Sequence, residues 1–92
     1  MRRHTWQTVI RETCNTGNVD TRRAYHFTKN DARADLGSLA DTYQRMGCDV
    51  HLAPDWMLAV AIDSTPAQNW FNLHGEVLGF STYVITVEKL RQ

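Results

Sequence analysis

Apolar positions recur along this chain with two periods, and the switches between them set out the elements. From Thr5 to Cys14, β-branched residues mix with polar ones, and Trp6, Thr8, Ile10 and Cys14 fall on one side at period two. That alternation predicts a half-buried strand. Asn15-Thr16-Gly17-Asn18 is turn chemistry. Arg22 to Thr28 reads as a second strand, with Tyr25 and Phe27 on one face and Ala24 and His26 on the other. The two strands are expected to form a hairpin, with a connection of about eight residues that is long for its kind.

The period then changes. Ala32, Leu36, Leu39, Ala40, Tyr43 and Met46 lie on a single helical stripe. Thr28 and Asn30 are both candidate N-caps, Asp31 and Asp35 suit the positive end of the dipole, and Gly47 is placed to end the helix in the left-handed conformation. Asp41 and Arg45 stand four apart in the favourable order, worth only ~0.2–0.5 kcal/mol. Cys48 to Ala53 returns to alternation, with Val50 and Leu52 inward and Asp49 and His51 outward, and Pro54-Asp55 makes a tight turn. Trp56 to Ile62 is apolar without a break, which predicts a central strand buried on both faces. Its large side, Trp56, Leu58, Val60 and Ile62, is expected to meet the helix, leaving Met57, Ala59 and Ala61 on the other. Thr65-Pro66-Ala67-Gln68 is a capping box that opens a short helix with Trp70, Phe71 and Leu73, stopped by Gly75. A last strand runs from Glu76 to about Leu90 with a bulge at Gly79.

The expected architecture is one α+β domain over residues 1–92, a two-layer sandwich in the order β-β-α-β-β-α-β with helices on one face of the sheet. From its second strand onward the order matches a ferredoxin-like domain with an extra N-terminal strand. Such a fold holds its first strand in the sheet interior, with no room for a hairpin partner, so the sheet order stays open.

Composition narrows the function classes. The 42% hydrophobic content and three tryptophans belong to a folded globule. No apolar run reaches the ~18–20 residues of a membrane span, and Gln7, Arg11 and Glu12 interrupt any leader after Met1. The expected location is cytoplasmic, with Cys14 and Cys48 as free thiols. The net charge is zero but uneven: residues 1–46 carry eight bases against five acids, and residues 47–92 two bases against five acids. This permits an anionic partner on one side, unless the halves interleave in space.

Catalytic and cofactor chemistry find no motif. There is no paired Cys/His spacing for a metal, no nucleophile elbow and no phosphate loop. A site gathered from His26, Asp49 and His51 is the single enzyme or metal alternative, and the expectation is neither catalytic residue, metal nor cofactor. Arg2, Arg3, Arg22 and Arg23 form a cluster that suits phosphates. It ranks second because Tyr25 and Phe27, the aromatics a base would stack on, are expected to lie under the helix. Two surfaces suit a protein partner. One is the small-residue sheet face of Met57, Ala59 and Ala61. The other is the helix strip of Ala34, Gly37, Ser38 and Asp41, where Gly37 costs ~1 kcal/mol relative to alanine and so invites close approach by another backbone.

Arginine outnumbers lysine eight to two, as GC-rich coding gives. With its short length and lack of catalytic signature, the chain resembles in composition the small orphan accessory proteins of phages that infect GC-rich actinobacteria. That resemblance implies binding to, and modulation of, one host protein. The leading expectation is therefore a non-enzymatic protein-binding module with a host protein as partner. Nucleic acid is the second choice, a homodimer is compatible with either, and no membrane partner is expected.

Overall fold

The computed structural model describes residues 3–14, 19–63 and 81–90. Among the described residues five strands, β1 (Trp6–Cys14), β2 (Val19–His26), β3 (Asp49–Leu52), β4 (Leu58–Asp63) and β5 (Ser81–Lys89), form one antiparallel sheet in the order β2-β1-β5-β4-β3. The helix α1 (Lys29–Arg45) leaves β2 at one edge, touches each of these strands, and delivers the chain to β3 at the other edge. β2 is thus an edge strand. A ferredoxin-like sheet would hold this strand inside, so the conflict seen in the element order is resolved by a different strand order. The hairpin is also tighter than expected, because β2 starts at Val19 rather than Arg22 and only residues 15–18 connect it to β1. The second predicted helix and the start of the last strand, with Gly79, lie outside the described residues.

The helix ends follow the sequence. Thr28, with extended backbone, accepts at Oγ1 from the Asp31 amide at 3.0 Å, so Thr28 is the N-cap and Asn30 falls inside the first turn. At the other end Gly47 takes φ 97°, its amide bonds the Gln44 carbonyl, and the Cys48 amide bonds the Tyr43 carbonyl. That pair of bonds is a Schellman ending. Cys48, the residue after it, is buried beside Tyr43 in the core.

Side chains directly opposite in neighbouring strands share a face, so the register assigns the two sides of the sheet. Under α1 lie Trp6, Thr8 and Ile10 of β1, Ala24 and His26 of β2, Tyr83, Ile85 and Val87 of β5, Ala59 and Ala61 of β4, and Val50 of β3. Ala32, Leu36, Ala40 and Tyr43 fill the helix side of this core, and Tyr43 stacks on Tyr83 at 4.5 Å. This corrects the expected facing of β2 and β4. The helix lies over the small side of β4, where Ala59 and Ala61 are fully buried, while Leu58 on the opposite side is 42% exposed. Small residues under the helix let its Leu36 and Tyr43 come close to the sheet. On β2 the same inversion puts Ala24 and His26 beneath the helix and leaves Tyr25 on the opposite face.

Candidate functional site

Each surface expected from the sequence has a definite place in the fold. Ala59 and Ala61 are core residues, and Met57 is half-buried against them, so this triad offers no docking face. The helix strip changes as well. A Cβ built on Gly37 would stand 2.3 Å from Cζ3 of Trp56, so the backbone approach that glycine permits is already filled by an indole of the same chain. Ala34, Ser38 and Asp41 beside it are exposed, with Asp41 paired to Arg45 at 3.0 Å. His26 and the Asp49–His51 pair sit on strands at opposite edges of the sheet and on opposite faces. His26 Nε2 is instead 3.1 Å from Asp35 Oδ2 and 3.0 Å from Thr8 Oγ1, bracing β2 against α1. No group of three His, Cys, Asp or Glu side chains among the described residues is placed to hold a metal ion.

The arginine cluster divides between the faces. Arg2 lies outside the described residues. Arg22 points to the helix side, 3.6 Å from Glu12 and 3.6 Å from Asp20. Arg23 projects on the other side and donates from Nη1 to Gln7 Oε1 at 3.1 Å. Arg3 is exposed next to His4.

What the fold does assemble is an aromatic and basic surface at one end of the β1–β2 hairpin. Tyr25 stands opposite Gln7 on the face away from α1 and is 53% exposed. His4 stacks on Phe27 with ring centroids 4.4 Å apart and planes 17° from parallel, and its ring lies 6.3 Å from that of Tyr25. Phe27 is itself 38% exposed. The end is pinned by the backbone: Thr5 N–H donates to His26 O at 3.1 Å, Thr5 Oγ1 to Phe27 O at 2.8 Å, and Leu90 N–H to Thr5 O at 2.8 Å.

A hydrogen-bonded polar frame adjoins this surface. In the register, Val9 is surrounded on its own face by Gln7, Arg11, Arg23 and Thr86, and it is fully buried. Arg11 Nη1 donates to Thr86 Oγ1 at 3.3 Å and to Glu88 Oε2 at 3.0 Å. The hydrogen bond from Thr86 and the one from Arg11 hold the Glu88 carboxyl below the ordinary glutamate range. Glu88 is the acid nearest this surface in the register, and its charge is already matched by Arg11. Elsewhere burial pushes Tyr43, Tyr83 and the Cys48 thiol up, which suits inert packing groups rather than an activated nucleophile.

The sheet order also keeps the charge asymmetry of the sequence. β1 and β2 carry Arg11, Arg22 and Arg23 against Glu12 and Asp20, whereas β3 and β4 at the other side carry Asp49 and Asp63 and no lysine or arginine. His4, Tyr25 and Phe27 as a surface group were missed from the sequence. The available signal was Arg23, two residues before Tyr25 and hence on its side; Arg22 on the other side cancels it. No family model, curated protein or solved structure matches this chain.

Proposed function

We propose that this protein is a binding module for single-stranded nucleic acid, which it engages through His4, Tyr25, Phe27, Arg3 and Arg23 at the end of the β1–β2 hairpin. The observation that carries this reading is the inversion of β2: its aromatic side faces away from the helix. Tyr25, which the alternation places under the helix, thereby stands where a base can reach it. The exposed Tyr25 ring, beside the stacked His4–Phe27 pair, offers a π-face to a base of any sequence, and the flanking guanidinium groups follow the phosphates. No base-edge code is built into the surface, so weak sequence preference is expected.

The test is fluorescence anisotropy of labelled oligo-dT and oligo-U at rising salt. Affinity should fall as salt rises, by about 0.7 in log–log slope for each phosphate contacted on a single strand. Tyr25→Ala should weaken binding about 5–150-fold, from the ~1–3 kcal/mol of one base–aromatic stack. Arg23→Ala should reduce the salt slope. Absence of binding at low salt, or binding indifferent to both changes, overturns the reading.

A second reading keeps the non-enzymatic module that acts on a host protein, as the phage-accessory resemblance implies. It is favoured by a groove of about 190 Å³ between α1 and β3, lined by Gly37, Ala40, Asp41, Gln44, Val50 and Leu52. A leucine at 40% exposure in its wall gives it an apolar side. Binding of a protein that is abolished by Leu52→Asp, together with no nucleic-acid binding, would favour it over the first.

A further inference from the structure

Among the described residues no strand pairs with the outer edge of β2, which has the features of a strand built to be paired. Seven of its eight residues are exposed. Its register with β1 runs without interruption from Trp6↔His26 to Thr13↔Val19, so no bulge turns the edge aside, and it contains no proline. Natural edges of this length are guarded by such devices. Here the candidate guards are the charges Asp20, Arg22 and Arg23, and their order along the strand is informative.

Two copies that join these edges antiparallel about a two-fold axis normal to the sheet keep both helices on one side. Residues of the same face must then meet, so the numbers of each opposed pair sum to an even value. Taking the registers in turn separates them. Centring on Asp20 opposes Asp20 with itself, centring on Arg22 opposes Arg22 with itself, and centring on Arg23 opposes Arg23 with itself. Like charges directly opposite are destabilising. Centring on Ala24 sets Arg22 against His26. Centring on Thr21 alone sets Asp20 against Arg22 twice, with Thr21 meeting its own counterpart and Val19 meeting Arg23.

The strand therefore carries positive complementarity for one register and repulsion in its neighbours. Arg22 can turn to that pairing: its ion pairs with Glu12 and Asp20 are both long, at 3.6 Å, and its side chain is 59% exposed. We infer that the protein forms a homodimer in which β2 pairs with β2 of a second copy about Thr21, continuing the two sheets into one of ten strands. The proposed nucleic-acid surfaces stay open in such a dimer, because they project from the face and end of the hairpin rather than from its edge.

Sedimentation velocity over a wide concentration range tests this. The wild type should self-associate, less so at high salt. Asp20→Arg and Arg22→Asp should each be monomeric, and an equimolar mixture of the two should form heterodimers, because each then supplies the charge the other needs. The double variant D20R/R22D should regain the homodimer. Circular dichroism melts check that each variant is folded. A second measurement avoids the charges altogether: Thr21→Cys in a Cys14→Ser background should cross-link to itself on mild oxidation far faster than Ala24→Cys. A wild type that stays monomeric to its solubility limit, charge variants that associate unchanged, or equal cross-linking of the two cysteine variants overturns the inference. So does capture of an unrelated protein on this edge with no self-association.

Discussion

Gly37 and Trp56 each carry a local cost that the other explains. Glycine within a helix costs ~1 kcal/mol relative to alanine, and Trp56 holds φ 59°, a left-handed conformation that costs an L-residue roughly 1–2 kcal/mol. The indole lies where a Cβ of residue 37 would be, and Arg33 Nε bonds the Asp55 carbonyl at 2.9 Å, so the β3–β4 turn is clamped onto α1. Gly37→Ala should therefore destabilise the protein by about 1–3 kcal/mol through overpacking. In a Trp56→Ala background the same change should stabilise by up to ~1 kcal/mol, since only helix propensity remains. Denaturant titration of the four-variant cycle reads that reversal of sign; additive effects would mean that the two residues do not act as a pair.

Glu88 gives a second residue-scale expectation. Its folded pKa lies below the ordinary value of 4.5 because Thr86 and Arg11 bond the carboxylate. A group depressed in the folded state stabilises above its unfolded pKa and loses that contribution as pH falls through the folded value. Glu88→Gln should thus be less stable than wild type near neutrality, with the gap closing on acidification into the acidic side of the glutamate range. A gap independent of pH would point to packing instead. The side chain is partly exposed, so solvent screening keeps the effect small.

Among the elements, α1 was the most legible, because three separate signals agree on it. The stripe of Ala32, Leu36, Ala40 and Tyr43 marks the buried face, Thr28 starts the helix, and Gly47 ends it. Thr28→Ala should cost about 0.5–2 kcal/mol in thermal or denaturant unfolding, and Asn30→Ala much less, since only Thr28 caps. The facing of β2 and β4 was not legible. Leu58 to Ile62 is apolar on both sides, so no alternation distinguishes them, and the assumption that the larger side is inside fails when a helix packs closely over alanines. Trp56 adds to the ambiguity. It shares the parity of Leu58 and Val60, yet its left-handed turn conformation carries the ring back to the helix side. On β2 both faces hold an arginine, so charge does not mark the wet one.

In the molecule as a whole, the pairing of strands distant in sequence decides what the surface presents. β5 pairs with both β1 and β4, which sends β2 and β3 to opposite edges. That order depends on contacts between residues more than sixty positions apart, which local periodicity does not encode. It places His26 at the opposite edge and face from Asp49 and His51, so the three are not gathered at one place. It also gathers His4, Tyr25 and Phe27 with Arg3 and Arg23 at one end of the hairpin, opposite in the sheet to the acidic edge of Asp49 and Asp63. If the proposed nucleic-acid surface is right, any steering of a polyanion toward the hairpin should weaken as salt screens it.

The most direct measurement of the account is an amide NMR titration of the isotope-labelled protein with single-stranded oligo-dT. The account predicts shifts concentrated at Arg3, His4, Gln7, Arg23, Tyr25 and Phe27, with α1 and the β3–β4 turn unmoved. Shifts confined to α1 or to the groove beside β3, or none at all, would contradict it.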